Sequence, residues 1–194
     1  MLKAPPPLLL ASSSRYRAEL LARLRLAFDT AAPGVDETPQ PGENAGALVV
    51  RLARAKAAAL RHTHPKAWII GSDQVALIGD EIIGKPGDRE RAIRQLCAAS
   101  GREVRFLTAV SLSTPTAETH AIETTTVHFR DLSRDQIERY LDAEPAYDCA
   151  GSFKCEGYGI TLFEAVDSRD PTALIGLPLI ALCRLLREAG YPLP

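Results

Sequence analysis

Residues 69–78, with the sequence IIGSDQVALI, decide the fold. This segment is almost entirely apolar and β-favouring, which predicts a buried strand in the middle of a sheet. Asp73 is the exception, because a buried carboxylate is costly unless it pairs with a cation, binds a metal, or faces a cleft at a strand end. Lys85 follows in a loop between a glycine and a proline. An acid on a central strand and a lysine on the next loop indicate a site for an anionic substrate and a metal.

The composition restricts the function classes. A chain of 194 residues can form one large domain or two small lobes with a proper core. Its net charge of −1 gives no overall field that would attract nucleic acid, so we expect no nucleic-acid partner. The four cysteines form no CxxC pair, which is typical of reduced thiols. The apolar run in residues 1–10 is short and interrupted by three prolines, which predicts a brief tail, no membrane association and a cytoplasmic protein.

The first motif is a strand, a serine turn and a helix. Residues 8–11 are apolar, Ser12 opens a run of three serines, and Ser14 is suited to cap a helix over residues 15–25. Such a turn at a helix N-terminus is a geometry that binds phosphates. Two basic residues in the first helical turn, at positions 15 and 17, are either solvated or bind a phosphate group. The sequence leaves both interpretations open.

A loop and a long helix follow. The loop over residues 32–42 carries Asp36 and Glu37, which are either solvated or ligands for Mg²⁺ or Mn²⁺. In the helix predicted over residues 45–62, Lys56 interrupts an apolar stripe. Its ammonium either extends outward to water or points inward toward a substrate, and the nearby unusual charges favour the inward orientation.

The rest of the chain predicts alternating elements. We expect a hairpin at residues 79–83, followed by a helix over 88–100 with Ile93, Leu96 and Cys97 facing inward. Antiparallel strands over 104–112 and 120–129 come next. A capping box then opens a helix over 133–141. Residues 147–159 are rich in glycine and small residues, which indicates close passage of the chain to a ligand. A strand over 160–166 and a two-part helical region from Asp170 to Gly190, with its second part starting at Pro178, complete the prediction.

Several blocks, in order and over almost the whole length, resemble the Maf nucleotide pyrophosphatases. Residues 10–21, LASSSRYRAELL, are similar to the family's opening LASxSPRRxELL. The later blocks are VDET at 35–38, LARAKA at 52–57, GSD at 71–73 and GKP at 84–86. Together these blocks are far more specific than any one of them.

This resemblance implies a fold and an activity. The implied fold is α/β, with an elongated mixed β-sheet flanked by helices, and residues 1–194 forming a single Maf/ITPase-like domain of two lobes with a deep substrate cleft. The implied activity is hydrolysis of a nucleoside triphosphate to the monophosphate and pyrophosphate, with Mg²⁺ or Mn²⁺ as cofactor. A homodimer is also implied.

The resemblance also assigns roles to individual residues. Asp73 matches the catalytic acceptor, and Asp73 and Glu37 are the implied metal ligands. Other polar family positions, which are expected to bind substrate, are matched by Ser12, Arg17, Lys56 and Lys85.

The base-recognition residues resemble one branch of the family, the branch associated with 7-methyl-GTP. This branch carries Gly-Ser-Asp-Gln and Gly-Ser-Phe-Lys blocks, which here end in Gln74 and Lys154. Glu156 stands where the branch acting on dTTP and UTP has a glutamine, and Tyr16 stands where the common opening has an arginine. An aromatic face attracts a cation such as N7-methylated guanine, and a carboxylate can accept its two N–H donors.

The sequence also bears on two alternative functions. The same chemistry on dTTP or UTP is disfavoured by Tyr16 and Glu156. A nucleotide-binding regulator of cell division without turnover belongs to a different class. Such a regulator would not need the acid Asp73, whose presence together with Glu37 and the two lysines argues for catalysis.

Overall fold

Strand formation around Asp73 agrees with the sequence prediction. In the computed structural model, which describes residues 5–194, the apolar segment forms the long strand Trp68–Ile78. The described residues contain seven strands: β1, Leu8–Ala11; β2, Phe28–Ala31; β3, Trp68–Ile78; β4, Glu81–Ile83; β5, Glu103–Ser113; β6, Glu118–Phe129; and β7, Phe163–Ser168. Their α-helices are α1, Arg15–Ala22; α2, Ala45–Ala59; α3, Arg89–Ala99; α4, Arg134–Ala143; and α5, Leu179–Glu188.

The strands form one mixed sheet. Their order is β2-β1-β3-β5-β6-β7, and β4 pairs with β3 outside this path. β1 runs parallel to both β2 and β3, with Leu10 opposite Ile70. β4 is antiparallel to β3, as the predicted hairpin requires, and β7 is antiparallel to β6. The predicted α/β class with a mixed sheet and flanking helices is therefore confirmed.

The chain forms two compact units. The first contains the described residues of Met1–Asp73 together with Thr108–Glu123 and Asp170–Pro194. Its core is aliphatic and brings β1, α1, the end of β5 and α5 together, with Leu10, Leu112 and Leu182 fully buried. Burial of each such leucine contributes about 1.5–3 kcal/mol to folding.

The second unit contains Gln74–Leu107 and Thr124–Arg169. Four phenylalanine rings pack edge to face at its centre, with centroid separations of 4.8–5.5 Å: Phe106, Phe129, Phe153 and Phe163. The helices α3 and α4 pack against each other in this unit. Edge-to-face contacts place the positive ring edge on a negative ring face, which fixes the rings more specifically than area burial alone.

The predicted helix starts are confirmed by their caps. Ser14 accepts a hydrogen bond from Arg17 N, and Asp88 accepts one from Arg91 N. Ser133 and Gln136 form the complete capping box. These side chains satisfy N–H groups that have no partner within the helix.

Several predictions were wrong. Cys97 is exposed, because the buried face of α3 consists of Ala92, Ile93, Leu96 and Ala99. Residues 160–162 belong to a 3₁₀ turn, so β7 starts at Phe163. Residues 171–176 form turns rather than helix, because the Asp170 carboxylate bonds Thr172 and Ile180 in place of an α-helical ladder.

Two helices are shorter than the sequence predicts. α1 and α2 each end three residues before the predicted boundary, and α1 is followed by Arg25 with a φ of 56°. Residues 1–4 of the predicted tail lie outside the described residues. No described helix is long and apolar enough to cross a membrane.

Candidate active site

The site begins with a close approach between α2 and β3. Gly71 has no side chain, and a Cβ placed there would lie 2.0 Å from the Ala53 carbonyl oxygen and 2.9 Å from Ala57 N. Glycine therefore permits direct contact between the helix backbone and the strand. This approach brings Lys56, on the same helical turn as Ala53 and Ala57, next to the strand position that carries Asp73.

Lys56 connects two carboxylates. Its Nζ lies 2.7 Å from Asp73 Oδ1 and 2.6 Å from Glu37 Oε1. The Lys56 and Asp73 side chains are 7% and 9% exposed, whereas Glu37 is 58% exposed. Of the options for Asp73, the structure thus shows pairing with a cation. It also excludes an outward-extending Lys56, because the ammonium is buried.

Burial has the largest effect on the pKa of Asp73. Removal from water raises the pKa of this carboxyl above its ordinary value, and the Glu37 charge adds to the rise. Lys56 and Arg17 act in the opposite direction without cancelling the effect of burial. A carboxylate with a raised pKa is a stronger base, which suits a group that takes a proton from water.

The guanidinium of Arg17 has donors left for a ligand. Its Nε donates to the Gly176 carbonyl oxygen at 2.8 Å. Within residues 5–194, its two Nη groups have no hydrogen-bond partner. Burial lowers the Arg17 pKa, while the charges of Asp73 and Glu37 oppose this shift, which places the guanidinium within electrostatic reach of both. A guanidinium remains protonated in proteins and offers paired donors that match phosphate oxygens.

The serine turn is internally ordered. Ser12, which is 7% exposed, accepts a hydrogen bond from Ser14 N at 3.1 Å through its Oγ. The predicted turn between β1 and α1 is thus present, and its serine hydroxyls already satisfy two N–H groups, those of Ser14 and Arg17. Ser12 can still donate its hydroxyl hydrogen to an anion.

Tyr16 has a neighbour that the sequence did not predict. The guanidinium carbon of Arg15 lies 4.8 Å from the centroid of the Tyr16 ring, and Arg15 Nη2 donates to Tyr16 Oη at 3.1 Å. The cation that covers one ring face is therefore a residue of the same chain. A cationic ligand would use the other face or displace Arg15.

The remaining predicted residues belong to the second unit. β3 continues through Asp73 and Gln74, and successive side chains of a regular strand point to opposite faces of the sheet. Lys85 is exposed in the loop after β4. Lys154 is half-buried and its Nζ donates to Pro145 O at 3.3 Å, while Glu156 is exposed with its carboxylate near the Cys155 thiol. The roles of these four residues stay predictions.

The predicted metal ligands, Glu37 and Asp73, supply carboxylate oxygens, the ligand type that a hard divalent cation prefers. Glu37 Oε1 and Asp73 Oδ1 both contact the Lys56 ammonium, so a metal ion would use their other oxygens or displace the ammonium. The described part of the chain contains no group of three or more His, Cys, Asp or Glu residues that could hold a metal. Mg²⁺ commonly takes one or two carboxylates and completes its shell with phosphate oxygens and water.

Sequence reasoning missed two groups that support the site. Ser72 is fully buried, and its Oγ lies 2.8 Å from Ala109 O and 2.9 Å from Gly176 O. The Gly176 carbonyl therefore faces both Arg17 and the residue preceding Asp73. A hydroxyl inside an apolar strand was a signal for Ser72, but no spacing rule points to the carbonyl of a glycine more than 100 residues away.

Comparisons with known proteins found relatives over nearly the whole chain. The family model described as Maf-like protein matches residues 7–189. A 7-methyl-GTP pyrophosphatase from Xanthomonas oryzae pv. oryzae is 62% identical over 189 residues, covering 97% of this chain and 100% of the relative. One from Alcanivorax borkumensis is 53% identical over 191 residues, covering 97% of each chain. Among solved structures, the Ham1 protein of Staphylococcus aureus aligns with a TM-score of 0.45 at 17% identity, over 64% of this chain and 72% of that one.

Proposed function

The chain belongs to the Maf family, and we propose that it hydrolyses 7-methyl-GTP to 7-methyl-GMP and pyrophosphate. The observation that carries the proposal is the buried ion pair of Lys56 and Asp73 with Glu37 on the same ammonium. The names of relatives that are 53–62% identical over nearly the full chain support the substrate. The whole of residues 1–194 is proposed to serve this one reaction.

In the proposed reaction, a water molecule attacks the α-phosphorus in line with the leaving pyrophosphate. The new P–O bond forms to the water oxygen, and the bond between the α-phosphorus and the oxygen bridging to the β-phosphate breaks. Asp73 takes the proton from the water, a role that its raised pKa supports. Lys56 keeps Asp73 oriented and adds positive charge beside the phosphates.

Charge neutralisation is the other requirement of this chemistry, because a triphosphate carries several negative charges. Arg17 has two Nη groups available for phosphate oxygens, and Ser12 has a hydroxyl. Lys85 is proposed to contribute a further cation. Glu37 and Asp73 are proposed to hold Mg²⁺ or Mn²⁺, which when bound neutralises phosphate charge.

Base recognition is proposed to use Tyr16, Gln74, Lys154 and Glu156. Their support is the sequence resemblance, together with the relatives' names. The carboxylate of Glu156 is exposed and so is accessible to a ligand. We also propose that the protein works in the cytoplasm as a homodimer and without a nucleic-acid partner, on the support of family membership and the near-zero net charge.

A substrate panel tests the proposal. We expect pyrophosphate release from 7-methyl-GTP to exceed that from GTP, dTTP and UTP, and to stop when EDTA removes the divalent cation. The change Glu156→Gln should reduce the preference for 7-methyl-GTP over UTP by roughly 10- to 100-fold, because a hydrogen bond to a charged group contributes about 1.5–3 kcal/mol. Glu164→Gln, on the exposed strand β7, is the matched control. A wild-type preference for dTTP or UTP would contradict the substrate assignment and leave the reaction type standing.

The pH dependence tests the role of Asp73. A base must be deprotonated to act, so kcat/KM should rise with pH through the Asp73 pKa and then level off. Since burial raises this pKa, we expect the acid limb to lie above about 4, the ordinary value for aspartate. The rate of pyrophosphate release from pH 4 to 9 measures it. An acid limb at or below the ordinary value would remove Asp73 from the role of base.

A further inference from the structure

We infer that residues 170–180 form a positioning loop that fixes the Arg17 guanidinium through the Gly176 carbonyl oxygen and so aims its two Nη groups at the substrate phosphates. The inference deepens the proposed function and rests on it for the role of Arg17. It assigns Asp170, Thr172 and Gly176 as positioning residues, which touch no reacting atom themselves.

The loop is closed by a buried carboxylate. Asp170 is 1% exposed, and its Oδ1 accepts hydrogen bonds from Thr172 N at 3.0 Å and Thr172 Oγ1 at 2.6 Å. Its Oδ2 accepts one from Ile180 N at 2.7 Å, at the start of α5. One carboxylate therefore holds backbone groups that are eight residues apart. A buried carboxylate with several donors is rigid, because losing any of them leaves charge unsatisfied.

The Thr172 side chain links the two ends of the loop. Its Oγ1 accepts a hydrogen bond from Leu179 N at 2.9 Å and lies 2.9 Å from the Leu177 carbonyl oxygen. The hydroxyl thus reaches the chain on the far side of Gly176. Together with Asp170, it fixes both ends of the short segment that carries the Gly176 carbonyl.

Gly176 lies at the tip and has a backbone that other residues rarely adopt. Its φ is 121°, a conformation that glycine reaches without strain. A Cβ there would lie 3.5 Å from Arg17 Nε. The carbonyl of Gly176 accepts from Arg17 Nε at 2.8 Å and lies 2.9 Å from Ser72 Oγ, so one oxygen orients the arginine and contacts the strand residue before Asp73.

An arginine held by its Nε has only its two Nη groups left for a ligand. The Nε contact fixes the plane of the guanidinium, and a fixed plane favours two parallel hydrogen bonds to phosphate oxygens. Without the carbonyl, the side chain would lose orientation while keeping its charge. The loop would then affect phosphate affinity mainly through Arg17.

The test uses Thr172→Val, which keeps the side-chain shape and removes the hydroxyl, and Thr172→Ser, which keeps the hydroxyl. The ligand is inorganic tripolyphosphate, measured by calorimetry in the presence of Mg²⁺, so the result does not depend on the base preference. We expect Thr172→Val to raise the Kd roughly 10- to 100-fold. This is the effect of losing one hydrogen bond between the misoriented Arg17 guanidinium and the charged phosphate. Thr172→Ser should restore affinity, and Thr63→Val, which removes an exposed hydroxyl bonded to Leu60 O, should not change it.

Coupling to Arg17 separates positioning from a general structural effect. Arg17→Ala should weaken binding, and adding Thr172→Val to it should weaken binding little further. Equal effects of Thr172→Val in the two backgrounds would overturn the inference, as would unchanged affinity in the folded single variant. If Thr172→Val does not fold, Asp170→Asn, which leaves one acceptor oxygen in place of the two that serve Thr172 and Ile180 N, replaces it in the same cycle. Coupled binding in a protein that hydrolyses no nucleotide would support the loop and reject the proposed function.

Discussion

Replacing Asp73 with asparagine is expected to reduce kcat/KM for 7-methyl-GTP by roughly 10²- to 10⁴-fold, the range that a positioned general base contributes. Asparagine has the size of aspartate and keeps an oxygen near Lys56, but it cannot take a proton from water. The ammonium retains Glu37 as its charged partner, at 2.6 Å. The loss should therefore appear mainly in kcat, because the cationic side chains proposed to bind phosphate are unchanged, while weaker metal binding should add a smaller rise in KM.

The fold of this variant should survive. Since burial raises the pKa of Asp73, the native environment already favours a neutral group at this position. We expect little change in Tm, which thermal unfolding measures alongside pyrophosphate release. Asp80→Asn, in the exposed turn after β3, is the control with the same chemical change. Activity within tenfold of wild type in the Asp73→Asn protein would eliminate Asp73 as the base.

The sequence predicted the central elements of the fold because they depend on local patterns. An apolar β-favouring run specified β3, and side chains suited to capping specified the starts of α1, α3 and α4. The prediction failed where distant partners decide the structure. Asp170 followed by proline is a normal helix start, yet its carboxylate bonds Ile180 N ten residues later and the intervening chain forms turns.

The candidate site was predictable to a similar extent. Lys56 on an apolar helix face and Asp73 in an apolar strand were each anomalous, and two unexplained buried charges of opposite sign favour a pair. The sequence could not show that Gly71 brings the helix and strand together, because the glycine matters only through the position of Ala53 O. Nor could it show that Arg15 covers Tyr16, since adjacent residues reach each other only in particular rotamers.

Replacing Lys56 with methionine is expected to damage both stability and catalysis. Methionine fills the space of the lysine stem but leaves the buried Asp73 carboxylate without its ammonium partner. Removing one member of a buried ion pair costs about 3–5 kcal/mol, because the remaining charge is uncompensated. Catalysis should also fall, because Lys56 contacts the proposed base directly. Lys66→Met, an exposed lysine in the same unit, is the control.

The pH dependence identifies the cause of that instability. Lys56 lowers the pKa of Asp73 in the native protein, so its removal moves an already raised pKa further up. Between the Asp73 pKa of the wild type and the higher one of the variant, the folded variant binds a proton that the folded wild type has lost, while the unfolded chains titrate alike. The free energy of unfolding of Lys56→Met, measured relative to wild type, should therefore fall as pH rises from the already raised Asp73 pKa of the wild type to the higher pKa of the variant. It should be closest to wild type in acid.

The double variant Lys56→Met/Asp73→Asn separates stability from function. With a neutral asparagine beside methionine, no buried carboxylate remains without its ammonium partner, since Glu37 is 58% exposed and retains its hydration. We expect its unfolding free energy to recover most of the loss and to lose the extra pH dependence, while pyrophosphate release remains as low as in Asp73→Asn. Urea unfolding at pH 5 and pH 8 measures both properties. A double variant as unstable as Lys56→Met would mean that packing of the lysine stem, rather than compensation of the Asp73 charge, is the contribution of Lys56 to the fold.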